Sequence, residues 1–276
     1  MPSEALADFL FEIASAERLA ILEAVAERPR KHAELARRLS VTGSEMSRHL
    51  NRLIGAGLVR KNPAGAYVPT ALAEALGAGL PFFETLFAAR EFLLHHRISV
   101  LDPPFIARLG EIGRGTFEQG TYQVVAVQEE ALRAAERRIW VLTAQRFEQA
   151  LPILRAKSAR GLDVRVIRAR PLLAEEKRAG RDVERNFPVR VLDEAPVFLA
   201  VLDDQAGLCL PGLDGKVDMA TMLLVKDPAG CRWSEDLFRA YWDRAAPWHT
   251  PMSPGSGRRE APLARGSSRL LGGRTT

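Results

Sequence analysis

The chain has 276 residues, 47% hydrophobic and 26% charged, with a formal net charge of +5 and two cysteines. That length supports two domains with separate cores, and the composition excludes collagen-like, disulfide-rich and wholly disordered classes. No apolar run approaches the ~20 residues of a membrane span, and the acidic opening "MPSEALADFLFEIASAERLA" is not a secretory signal. No membrane partner, a cytoplasmic location and reduced thiols at Cys209 and Cys231 are therefore expected. Charge is unevenly spread. Residues 1–27 carry six carboxylates and one arginine, whereas 28–61 carry nine bases and two carboxylates. Such a switch is expected where one surface meets a polyanion.

In chain order, Leu6, Phe9, Leu10 and Ile13 mark a first helix. Leu19, Ile21, Leu22 and Val25 mark a second, ended by Pro29. "KHAELARRLSVT" reads as a short helix with a turn at Ser40 and Val41. In "TGSEMSRHLNRLIGAGLVRK", Thr42 and Glu45 form a capping box at a helix start. Met46, Leu50, Leu53 and Ile54 then share an inward face, and Ser44, Ser47, Arg48 and Asn51 another. Gly57 ends this helix, and "GLVRKNPAGAYVPT" reads as a hairpin around Pro63 and Gly65. The order of helix, helix, turn, helix and hairpin predicts a winged helix-turn-helix over residues 1–75. The first two turns of its recognition helix reach base edges of double-stranded DNA, so Arg48 suits guanine and Asn51 adenine. Lys31, Arg37, Arg38 and Arg52 are placed for phosphates, and Arg60 and Lys61 for backbone or minor groove. His49 reads as packing.

Residues 76–115 read as a helical connector. Phe82, Phe83, Phe87 and Phe92 lie with leucines nearly all round its circumference, a pattern that calls for burial. A partner subunit could supply that cover, with the first helix sharing a homodimer interface. Over residues 116–248 the period changes. "YQVVAV", "IWVLTA", "DVRVIRA" and "VRVLD" read as strands, with helices around 128–138 and 147–160, which predicts βαβ units and a largely parallel sheet. "VFLAVLDD", "GLCLP" and "MATMLLVKD" read as later, partly antiparallel strands, and "SEDLFRAYWDRAA" as a closing amphipathic helix. Residues 249–276, rich in Gly, Ser, Pro and Arg, read as a disordered basic tail. The fold class expected is multidomain, α and α/β.

Two resemblances add to this. "AERLAILEAVAERPRKHAELARRLSVTGSEMSRHLNRLIGAGLVRK" resembles the DNA-binding domain of regulators of the metal-sensor-repressor (ArsR-like) type. "FLLHHRISVLDPPFIARLGEI" and "WSEDLFRAYW" resemble the effector half of archaeal methanogenesis-type winged-helix regulators, although "VLDPP" stands where an Ile-Pro pair is expected. That half is related to the sensor domain of archaeal sugar-responsive regulators. The resemblance implies a phospholipase-D-like α/β fold and an effector-responsive transcription regulator.

Phospholipase-D-like hydrolases use a His-x-Lys pair with an Asp a few residues on, yet no histidine occurs between Arg97 and Trp248. No Walker loop or Gly-x-Ser-x-Gly elbow is present, and "GLDGKVD" at 212–218 reads as a hairpin turn. His95 and His96 have no carboxylate or thiol set nearby in the sequence. No catalytic residue, metal site or cofactor is therefore expected. Ligands of open α/β sheets sit beyond the carboxyl ends of the strands. Thr143 and Gln145 follow "IWVL", and Arg168 and Arg170 follow "DVRVI", a set suited to an anionic small-molecule effector. Two other readings remain open: a low-specificity structural DNA-binding protein, and a protein–protein adaptor using the winged helix.

Overall fold

A computed structural model describes residues 4–179 and 186–248. The N-terminal unit is built from helices α1 (Glu4–Ile13), α2 (Ala16–Glu27), α3 (His32–Leu39) and α4 (Gly43–Gly55), then antiparallel strands β1 (Val59–Lys61) and β2 (Tyr67–Pro69). Ser15 caps α2, and Ser40 ends α3 at φ +54. In the turn between β1 and β2, the Asn62 side chain accepts from Ala66 N, and Gly65 adopts φ +76. One core gathers Ile21, Leu35, Met46, Leu50, Leu53 and Leu58, all essentially inaccessible to water. Ile54 departs from the expected inward face and is 40% exposed. The seam follows Met46, Leu50 and Leu53, at i, i+4 and i+7, and Ile54 lies about 100° further round the helix.

Helix α5 (Ala71–Ala88) starts directly after β2, capped by Thr70, so residues 75 and 76 lie within one continuous helix. It is long and apolar enough, by length and composition, to cross a membrane, with mean hydropathy 1.2, which corrects the expectation that no such run exists. Its burial is one-sided. Phe82 and Leu86 pack toward the second domain, while Leu72, Phe83 and Phe87 are exposed, as is Leu94 of α6 (Arg90–His95). The close approach of α5 to the turn at residues 109–112 needs glycine. A Cβ on Gly110 would lie 2.8 Å from Phe82 N, and one on Gly113 would lie 2.2 Å from Thr85 Oγ1. Past α6, His96 lies between the Phe92 carbonyl at Nδ1 (2.7 Å) and Asp218 at Nε2 (3.1 Å), which pins the connector to the second domain.

The second domain runs through α7 (Pro103–Ala107), β3 (Thr116–Gln119), α8 (Thr121–Ala134), β4 (Arg138–Thr143), α9 (Ala150–Ala159), β5 (Asp163–Ala169) and α10 (Arg170–Arg178). It continues with β6 (Val189–Leu192), β7 (Phe198–Leu202), β8 (Gln205–Cys209), β9 (Thr221–Val225), α11 (Pro228–Arg244) and β10 (Ala246–Pro247). The eight strands form one mixed sheet in the order β10-β6-β5-β4-β7-β8-β9-β3. Only β4, β5 and β6 run parallel to one another, and the remaining pairings are antiparallel, so the sheet is less parallel than expected. "YQVVAV" is not a strand but the start of α8. Its buried positions, Val124, Gln128, Ala131 and Leu132, recur at helical spacing, and this longer period overrides the β-branched composition. The sheet is covered on both faces. Trp140, Leu142, Ile167 and Leu199 face Trp233, Leu237 and Phe238 of α11. Ile139, Val141, Val166 and Ala200 alternate with them and face α8 and α9. Cys209 and Cys231 are free and buried. The tail expected at 249–276 lies outside the described residues.

The β7–β8 turn is held by Asp203, at φ +40, whose carboxylate accepts from the backbone N–H groups of Glu136, Arg137 and Arg138 at 2.7–3.0 Å. Partial burial pushes this carboxyl up, but the three donors and Arg137 outweigh it and leave it below the usual carboxylate range. The D203A variant should lose about 2–3 kcal/mol in urea unfolding at neutral pH. A lowered native pKa stabilises above the unfolded value near ~3.9, so the difference should be full above about pH 5 and shrink as acid titrates the native carboxylate. An equal difference at all pH values would contradict this role.

Candidate nucleic-acid interface and effector cavity

The capping box that starts α4 is complete. The Thr42 hydroxyl accepts from Glu45 N (3.3 Å), and the Glu45 carboxylate accepts from Thr42 N (2.9 Å). Opposite the buried seam, Ser44, Ser47, Arg48, Asn51 and Arg52 are all exposed. They are not equivalent. Ser47 Oγ lies 2.9 Å from His32 Nε2, which ties α4 to α3. Arg52 is held bidentately by Glu12 of α1, at 2.8 and 2.6 Å, and lies over the Phe11 ring. That pairing makes the Arg52 guanidinium a strut between helices α1 and α4. Arg48 and Asn51 make no side-chain hydrogen bond or ion pair among the described residues.

The same sorting thins the basic cluster. Arg28 pairs with Glu34, and Arg38 with Glu27 (2.8 Å). Arg30 is buried, donates to the Ala24 carbonyl (2.7 Å) and pairs with Glu27 and Glu34. Two of the six carboxylates of residues 1–27, Glu12 and Glu27, thus pair with bases of residues 28–61. Lys31, Arg37 and Arg60 are exposed and make no ion pair among the described residues, and Lys61 lies over the Tyr67 ring at 5.2 Å. His49 is half-buried, as expected of packing, and its Nδ1 is buried without a partner.

Thr143, Gln145 and Arg168 come together around one cavity of about 880 Å³, counting its open mouth, bounded by β4, β5, β7, α8, α9 and α10. Thr143 is buried at the end of β4, where its hydroxyl accepts from Gln145 N and donates to the Gln145 carbonyl, both at 2.9 Å. Arg168 pairs with Glu176 of α10 at 2.5 Å, and Arg146 reaches the other oxygen of Glu176 at 3.2 Å. Arg170 is not part of the cavity; it is exposed and pairs with Asp193, which corrects its assignment. Sequence reasoning missed Arg146, Glu176 and Gln128. Glu176 had a readable signal, being a carboxylate at i+3 and i+4 from the buried Leu173 and Leu172 of its helix.

A two-stranded wing packed behind a helix with a free polar face defines a winged helix-turn-helix DNA-binding protein. Residues 15–61 match the bacterial regulatory protein, arsR family, and residues 121–244 match the middle domain of the methanogenesis regulatory protein FilR1. The chain is a DNA-binding transcription regulator that joins these two modules. No curated protein matches it. Among solved structures it is similar to TrmBL2, an archaeal chromatin protein, at 17% identity over 84% of this chain and 92% of that one, TM-score 0.38. It is also similar to the phospholipase D family member Nuc from Salmonella typhimurium, at 11% identity over 50% of this chain and 100% of that one, TM-score 0.38. NucT from Helicobacter pylori aligns at 10% identity over 49% of this chain and 99% of that one, TM-score 0.41.

Sorting the bases by partner yields a contrast. R30A removes a buried, fully engaged guanidinium and should cost about 2–4 kcal/mol in urea unfolding. R37A should stay within about 0.5 kcal/mol of the parent. Equal effects would mean that the ion pairs of Arg30 are not structural.

Proposed function

We propose that α4 lies in the major groove of duplex DNA and that Arg48 and Asn51 read base edges there, with Ser44 and Ser47 beside them. The observation that carries this is the pair itself: two fork-shaped side chains, exposed and unengaged, on a helix fixed by its opposite face. Bidentate pairing of this kind is worth about 1–3 kcal/mol per base. Lys31, Arg37, Arg60 and Lys61 contact phosphates. The protein works as a homodimer, cytoplasmic and non-enzymatic, with half-sites about one DNA turn apart. The exposed apolar face of α5 and α6, with Leu6, Leu10 and Phe11 of α1, supports that dimer, because a helix this apolar is ordinarily covered. The second domain is a phospholipase-D-like fold without the His-x-Lys pair, so its cavity binds an effector rather than cleaving a phosphodiester. Effector binding shifts the spacing of the two α4 helices, for which a coupling of about 1–3 kcal/mol suffices.

Selection from a random duplex pool at fixed salt tests the DNA reading. The parent should enrich a two-fold motif, and R48A should blur one position in each half-site. Recovery of no motif by the parent would favour low-specificity coating or an adaptor role. R37A, which removes one phosphate contact from each protomer of the dimer, should weaken binding to all sequences alike and flatten the salt dependence by about 1.8 in log–log slope. F87D, at a residue 72% exposed, should convert the dimer to monomer in sedimentation; an unchanged mass would exclude this face.

A further inference from the structure

The chemistry of the cavity between the sheet, α8 and α9 defines a ligand class, an inference that rests on reading this cavity as the effector site. Its interior is apolar, lined by Val141, Val166, Leu154 and Phe198. At one end sits a compact ionic cluster. Glu176 is 5% exposed, Arg168 11% and Arg146 23%, so the carboxylate is shared by two guanidiniums and the cluster retains one positive charge. Arg168 makes a single ion pair among the described residues, through Nη1, which leaves Nε and Nη2 without acceptors. Neither nitrogen is a fully buried unpaired atom, so both meet solvent at the cavity, where a ligand acceptor can take its place. Arg146 has a second carboxylate, Glu148, which holds it bidentately at 2.8 and 3.2 Å, but at 62% exposure water screens that charge far more than it screens the buried Glu176. The other acid at the rim, Glu129, is neutralised by Arg133. Deeper on α8, Gln128 is 8% exposed and lines the same cavity. Among the described residues its side chain hydrogen-bonds only to Met222 Sδ, a weak acceptor, at 3.4 Å.

We propose that this cavity binds an apolar monocarboxylic acid. Its carboxylate bridges Arg168 and Arg146, and its hydrocarbon or aromatic body lies on Val141, Val166 and Phe198. One negative charge neutralises the cluster of two arginines and one glutamate. A planar carboxylate matches the guanidinium fork. A phosphate monoester, with a charge near −2, would leave the buried cluster negative. An alcohol would leave it positive, with Arg168 unsatisfied, and an amine would add to the excess.

Titration calorimetry on the full chain with octanoate, octanol, octylamine and octyl phosphate as probes tests this. Octanoate should bind at least about tenfold tighter than the other three. R168Q should erase that preference, bringing octanoate to the affinity of octanol. R146Q, altering a more exposed member of the cluster, should weaken octanoate several-fold and serves if R168Q does not fold. L151W, narrowing the cavity from α9, should abolish binding of every probe. Octanol or octyl phosphate binding as tightly as octanoate would overturn the ligand class and leave the cavity as the effector site. Binding of no probe, or binding untouched by L151W, would overturn the effector-site reading itself.

Discussion

The DNA-binding half depends on the rotational setting of one helix. Met46, Leu50 and Leu53 of α4 are shut off from water against α2, α3 and β1. Burying each such side chain is worth about 1.5–3 kcal/mol. A shift of one residue turns the helix by about 100°, which would drive polar side chains into the core. That cost fixes Arg48 and Asn51 outward. The capping box fixes where the helix begins, and the Arg52–Glu12 strut braces it against α1. The free face is thus specified by what the opposite face must bury.

The connector extends the constraint into the second domain. α5 leaves the wing without a break, and glycines at 110 and 113 let it lie close on the turn at 109–112. His96 then locks its end. Its two ring nitrogens lie within hydrogen-bond distance of the Phe92 carbonyl and the Asp218 carboxylate. The sheet it joins is clamped on both faces by alternating residues. A cavity opens at the carboxyl ends of β4 and β5, where ligands of open α/β sheets ordinarily sit.

Much of this was legible in the sequence because it rests on local periods. The capping box, the i, i+4, i+7 seam of α4 and the hairpin all follow from near neighbours. The run "YQVVAV" misled because six residues rich in valine carry a β signal. Only the wider window through Gln128, Ala131 and Leu132 exposes the helical period. Ile54 failed by one step of rotation. Ion pairing was illegible in kind: Arg52 meets a carboxylate 40 residues away, and Arg168 meets one on the next helix. The rule about strand ends led to Thr143, Gln145 and Arg168, which do line one cavity, since the ends of the adjacent parallel strands β4 and β5 lie side by side. It failed at Arg170, where α10 begins and turns that side chain toward Asp193.

Base reading by the unengaged face of α4 can be probed atom by atom. Methylation interference on a selected operator does so, because N7-methyl guanine blocks one atom that an arginine fork would use. Methylation of one guanine in each half-site should block the parent protein, and R48A should bind methylated and unmethylated operators alike. The same interference pattern in both proteins would contradict it.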